Sequence, residues 1–210
     1  MICPHCETEL SVVSEFCGTC GKILPPEAER SPYAVLGLKD RRLNLDLMDL
    51  EERLFQLSKK FHPDRFAGKS AAEVQFSHDH SSAVNNAYRV LKNPISRAKH
   101  AVEKELGSIE DKSASVPMDM ADLFFEVHEH LDAIREANGN PPEEALAAVA
   151  SAESELRQKV RDLEMELMNL FVEYDEHPDR TTVEQMKEVL SHRSYIQSFL
   201  RQVDTTLGRD

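Results

Sequence analysis

Four cysteines lie near the start of the 210-residue chain, as Cys3-Pro4-His5-Cys6 and Cys17-Gly18-Thr19-Cys20. Two residues between thiols let both members of a pair turn onto one ion, and two pairs complete a tetrahedral sulfur cage. The pattern predicts a structural zinc held by Cys3, Cys6, Cys17 and Cys20. A single iron would use the same thiolates. Disulfides or redox use are the other readings, and a reducing cytosol disfavours them. Gly18 and Gly21 would relieve the backbone where it curls round the metal, and His5 is expected to be a bystander. Residues 1–25 are too short to bury a core, so they should fold on their metal and stand apart from the rest. Pro25-Pro26-Glu27-Ala28-Glu29 reads as a stiff polar linker.

The second stretch is Lys59-Lys60-Phe61-His62-Pro63-Asp64-Arg65-Phe66, a basic helix end running into a turn. Pro63 disfavours helix at His62, so the imidazole and the Asp64 carboxylate should project from an exposed loop. Arg53, Lys59, Lys60 and Arg65 suit an acidic partner; Lys59 and Lys60 also complement the helix dipole. The same four letters recur at His177-Pro178-Asp179-Arg180, but after Glu173, Asp175 and Glu176. That acidic approach would repel a partner drawn to the first copy, and Pro178 with an Asp179 or Thr181 cap explains it as a helix junction. Other histidines offer no site: His78 and His80, like His128 and His130, are two apart and point to different helix faces.

These turns need helices to hold them. Leu47, Leu50, Leu54, Leu57 and Phe61 recur at steps of three and four, the stripe of a helix capped by Asn44 or Asp46. A second helix from about Glu73 to Lys92 carries Val84, Ala87, Tyr88 and Leu91 and closes at Pro94, giving an antiparallel hairpin with a polar tip. Gly107 to Ser115 reads as a linker. Met120, Phe124, Val127, Leu131 and Ile134 then form one stripe, broken at Asn138-Gly139-Asn140-Pro141-Pro142. Leu156 to Tyr174 define a long helix, and Val189 to Leu207 the last, so a three-helix bundle follows. Phe124 and Phe125 cannot both face inward on a narrow stripe, so one aromatic should be exposed beside Glu126 and Glu129.

A net charge of −13 argues against nucleic acid as a partner. No apolar run approaches the roughly 20 residues that cross a bilayer, and Met1-Ile2-Cys3-Pro4 does not open a signal peptide. A cytoplasmic protein is expected. Without a phosphate loop or a GxSxG nucleophile motif, the chain does not read as an enzyme.

Ser31-Pro32-Tyr33-Ala34-Val35-Leu36-Gly37-Leu38, His62-Pro63-Asp64 and Asn86-Ala87-Tyr88-Arg89-Val90-Leu91-Lys92-Asn93-Pro94, in that order, resemble the J-domain of Hsp70 co-chaperones. Ile95 to His100 and the helical C-terminal half are similar to the HscB branch, which serves iron–sulfur cluster assembly and some of whose members carry a tetracysteine extension. The resemblance spans about residues 31–207. It implies an all-α architecture: a metal-binding module at 1–25, a J-domain at 31–106 and a client-binding bundle at 113–210. It implies stimulation of an HscA- or DnaK-like Hsp70 through His62, Pro63, Asp64, Arg53, Lys59, Lys60 and Arg65. It further implies delivery of an IscU-type scaffold held by Phe125, Glu126, Glu129 and Tyr195. Two departures stand out. Glu51, Glu52 and Gln56 interrupt the basic helix face, implying a restricted Hsp70 contact, and Ala121-Asp122 replace a larger apolar pair beside the client surface. A general J-domain co-chaperone with other clients, or a zinc-dependent binding module, are the alternatives.

Overall fold

The computed structural model describes residues 2–10, 14–27, 29–39, 41–107, 118–137 and 139–209. They form two compact units, Met1–Arg97 and Ala98–Asp210. Both are helical; the only extended pairings among the described residues are single bridges, Ile2 with Glu9 and Phe16 with Ile23.

In the first unit, α1 (Pro32–Val35) starts at Ser31, whose side chain accepts from the Ala34 N–H, with Pro32 at the first helical position. Helix α2 (Leu47–Phe61) is capped by Asp46, and α3 (Ala71–Lys92) by a reciprocal Ser70–Glu73 capping box. These two helices make the expected hairpin. Its core holds Tyr33, Leu36, Leu50, Phe61, Val84, Ala87 and Leu91. Leu54 and Leu57 pack partly against it, but Leu47, in the first turn of α2, stays 45% exposed. Pro94 ends α3 and also opens α4 (Pro94–Leu106), of which only the first turn belongs to this unit, because a proline needs no N–H partner at the first helical position. Asn93 caps it, its Oδ1 accepting from Ile95 and Ser96 N–H at 2.9 and 3.1 Å.

The cysteine segment departs from the sequence expectation of a module standing apart. Ile23 is 1% exposed within the hairpin core, and Phe16 packs against the same cluster. Leu24 is equally buried, and its carbonyl accepts a 2.9 Å hydrogen bond from His80 Nε2 on α3. The reason is size: two knuckles bury their sulfurs around Leu24 but cannot also cover Ile23 and Phe16, which pack on the hairpin instead.

In the second unit, α5 (Ala121–Glu136), α6 (Glu143–Glu176) and α7 (Arg180–Thr206) form a three-helix bundle in which α6 packs on both others. Leu131, Leu156, Leu167, Met186 and Ile196 are almost fully buried. α6 begins earlier than the leucine stripe indicates, because Ala145, Val149 and Ala152 extend the inner face by about three turns. Most of the expected Gly107–Ser115 linker, and Asn138 in the later break, lie outside the described residues.

Candidate functional site

The exposed turn is built from the end of α2. A helix leaves its last carbonyls unsatisfied, and here partners on α3 and beyond the turn take them up. Phe61 O accepts from Ser77 Oγ at 2.8 Å and Ser81 Oγ at 2.9 Å, and Lys59 O accepts from Arg65 Nη1 at 3.2 Å. The Phe61 ring lies parallel to His80 at 4.3 Å and to Phe16 at 6.1 Å. From this anchored residue the chain enters a single 3₁₀ turn, Pro63–Phe66, with Phe66 buried and Gly68 left-handed (φ +79°) beyond it. His62 Nδ1 accepts from the Asp64 N–H at 3.3 Å, which orients the imidazole. The Asp64 side chain is 90% exposed, so its carboxylate faces solvent, with Oδ2 3.6 Å from His62 Nδ1.

The basic residues differ in freedom. Lys59 is exposed. Arg53 binds Asp49 at 2.7 Å and donates to Gly37 O at 3.0 Å, tying α2 to the end of α1. Lys60 pairs with Glu15 at 3.7 Å. Periodicity missed Ser77, His80 and Ser81, which lie at helical spacing on the inner face of α3; polar residues in an apolar stripe were the available signal.

The second copy is arranged differently. His177 ends α6, and Asp179 turns its carboxylate onto its own backbone, accepting from Thr182 N at 2.8 Å and Thr182 Oγ1 at 3.1 Å. The Thr182 backbone N–H is also the main cause holding the Asp179 carboxyl below its ordinary range.

Cys3, Cys6, Cys17 and Cys20 bring their sulfurs together, all within 4.8 Å of one another. Cys3–Cys20 and Cys6–Cys17 are 3.9 and 3.8 Å apart. Metal–sulfur bonds of about 2.3 Å in a regular tetrahedron put sulfurs about 3.8 Å apart, so the donor set fits a tetrahedral ion, whereas disulfide sulfurs lie at about 2.05 Å. The knuckles are two copies of one turn: Glu7 N–H donates to Cys3 O and Gly21 N–H to Cys17 O, at 3.0 and 2.8 Å. Both end left-handed, at Glu7 (φ 58°) and Gly21 (φ 69°), whereas Gly18 does not need positive φ. Backbone N–H groups of Cys20 and Thr19 favour the Cys17 thiolate against burial and lower it to about 6, whereas burial and the neighbouring thiols push Cys20 up to about 11, so the crowded sulfurs do not ionise alike. His5 is not a ligand; its Nε2 donates to Ile23 O at 2.9 Å, joining the knuckles.

On the bundle, Phe124 is buried at 4% exposure and Phe125 is 68% exposed. Glu126 and Glu129 are exposed with Phe125, one turn apart on α5. Tyr195 of α7 is half-buried, its ring edge-on to Phe124 at 4.9 Å. It also lines an open cleft of about 390 Å³ with His128, Ser198, Phe199 and Arg201. No helix among the described residues is long and apolar enough to cross a membrane.

The DnaJ domain family matches residues 31–100. The iron-sulfur cluster co-chaperone protein HscB of Mus musculus is 34% identical over 88 residues, 42% of this chain and 37% of that protein. A co-chaperone protein HscB homolog of Haemophilus ducreyi is 35% identical over 107 residues, 50% of this chain and 61% of that protein. The matched stretch thus spans between about a third and two thirds of these relatives' length. Human co-chaperone protein HscB has a similar structure, with a TM-score of 0.71 at 23% identity, covering 98% of both chains. Chaperone HscB from Vibrio cholerae gives 0.56 at 19% identity, over 85% of this chain and 99% of that one. Residues 31–100 are therefore a DnaJ domain, and the chain carries it within the fold of the HscB co-chaperones.

Proposed function

We propose that this protein is an Hsp70 co-chaperone that stimulates ATP hydrolysis by an HscA- or DnaK-like Hsp70 and delivers an IscU-type iron–sulfur scaffold to it. The observation that carries the reading is the His62-Pro63-Asp64 turn: its imidazole is oriented, its carboxylate is exposed, and it closes the hairpin of a DnaJ domain. The turn, with Lys59, Lys60, Arg65 and Arg53, meets the ATP-bound state of the Hsp70 and stabilises the conformation that hydrolyses. Catalysis belongs to the Hsp70; this chain binds, orients and releases. Residues 31–106 act as the J-domain and 113–210 as the client-binding bundle, with Phe125 and Tyr195 as apolar anchors and Glu126 and Glu129 at the rim.

The four thiolates hold one structural zinc, which fixes both knuckles and supplies no chemistry to the Hsp70 cycle. Clustered free thiols suit a reducing compartment, and with the acidic charge they support work in the cytoplasm away from membranes and nucleic acid. The test is Hsp70 ATPase turnover with purified protein, with and without scaffold. Stimulation that scaffold raises further is the expected result. Stimulation raised equally by unfolded polypeptides at large would make this a general J-domain co-chaperone, and none at all would end the reading.

A further inference from the structure

The cysteine segment reaches the docking turn through two adjacent side chains. Glu15 bridges two cations, with Oε2 3.7 Å from Lys60 Nζ and Oε1 3.6 Å from Arg30 Nη1. Phe16 stacks on Phe61 at an interplanar angle of 9°. The Lys60 ammonium lies 5.5 Å over the Phe16 ring and 5.3 Å over the Phe61 ring, so Glu15 and Phe16 of the cysteine segment both contact it. Both are held by the second knuckle, where Leu24 N–H donates to Glu15 O at 2.9 Å and Phe16 bridges to Ile23. Packing alone would need only Phe16 and Ile23. Glu15 in addition sets an opposite charge against one lysine of the last turn of α2, two residues before His62.

We propose that the cysteine segment tunes the docking contact: Glu15 damps the charge that Lys60 offers a partner, and Phe16 props Phe61 so that the turn beyond it keeps its orientation. This rests on the reading of the His62 turn as the Hsp70 contact. It makes Glu15 and Phe16 positioning residues that act through Lys60 and Phe61, and it predicts opposite effects from their removal. Loss of the carboxylate releases positive charge towards an acidic surface, whereas loss of the ring loosens the support of the turn.

The experiment uses the full-length, metal-loaded protein and measures its affinity for ATP-bound Hsp70 at low and high salt. Glu15→Gln should tighten binding about two- to fivefold at low salt, the range set by an exposed ion pair, and the gain should vanish at high salt. In a Lys60→Ala background, Glu15→Gln should do nothing. Phe16→Ala should speed amide exchange at Phe61 and His62 without any Hsp70 present and reduce ATPase stimulation severalfold. Phe16→Leu, which keeps bulk against Phe61, should restore most of both. Unchanged low-salt affinity in Glu15→Gln, or a tightening that survives in Lys60→Ala, would overturn the charge role. Unchanged exchange and stimulation in Phe16→Ala would overturn the prop. Failure of wild type to stimulate, with His62→Gln indistinguishable from it, would overturn the proposed function itself; it is separable from the prop, since exchange is read without the Hsp70, and from the charge role, since that compares affinities rather than turnover.

Discussion

His62 and His177 stand in the same four-residue string, and what separates them is where the aspartate goes. Asp179 spends its carboxylate on Thr182, while Asp64 leaves its own 90% exposed because His62 already accepts the Asp64 N–H. His62→Gln should therefore abolish ATPase stimulation with the melting profile unchanged, since a glutamine oxygen can keep the local hydrogen bond but not the imidazole. His177→Gln should leave stimulation unchanged. Asp179→Ala should instead lower bundle stability by about 1 kcal/mol, the usual cost of losing a helix N-cap, read by denaturant unfolding. Phe125→Ala and Tyr195→Ala should weaken scaffold binding by roughly 2 kcal/mol each, more than Glu126→Ala or Glu129→Ala, in a titration that also confirms unaltered melting.

At the scale of elements, the knuckles and the hairpin share a core. Burying a side chain such as Ile23 is worth about 1.5–3 kcal/mol, and only metal-held knuckles place it in the hairpin core. Chelation should therefore lower the melting temperature of the hairpin as well as unfolding residues 1–25; a hairpin indifferent to chelator, followed by hydrogen exchange along α3, would contradict the shared core. His80 adds a pH dependence. Burial against Phe61 lowers its pKa, opposed by its bond to Leu24 O and by Glu15, and aided by Arg30 and Lys60. A histidine depressed in the folded state contributes stability above its unfolded pKa of about 6.5, and that stability is lost as pH falls through the lower folded value. At saturating metal, first-unit melting should fall as the pH drops below the unfolded value of about 6.5, and His80→Gln should flatten the dependence.

For the whole molecule, the proposed division of labour separates the two units in one assay. A full-length Phe125→Ala/Tyr195→Ala protein should retain basal Hsp70 stimulation and lose the additional stimulation by scaffold, whereas His62→Gln should lose both while still binding scaffold. Equal loss of basal stimulation in the two proteins would show that the roles are not distributed this way.

The two helical hairpin arms, the capped turn, the cysteine pairs and the bundle were all legible in the chain. They depend on short-range rules: apolar spacing of three and four, proline's missing N–H, and two residues between thiols. The pairing of Phe124 inward with Phe125 outward was foreseeable as a conflict, though only packing on Tyr195 and Phe199 decided which ring is buried. What the sequence could not express is contact between distant segments. His80 meets Leu24 across 56 positions, and Lys60 meets Glu15 and Phe16, because the cysteine segment has apolar flanks it cannot bury alone. Those contacts carry no periodicity. They are set by the complementarity of two folded surfaces, which is why a stretch that reads as an appendage became part of the hairpin's core.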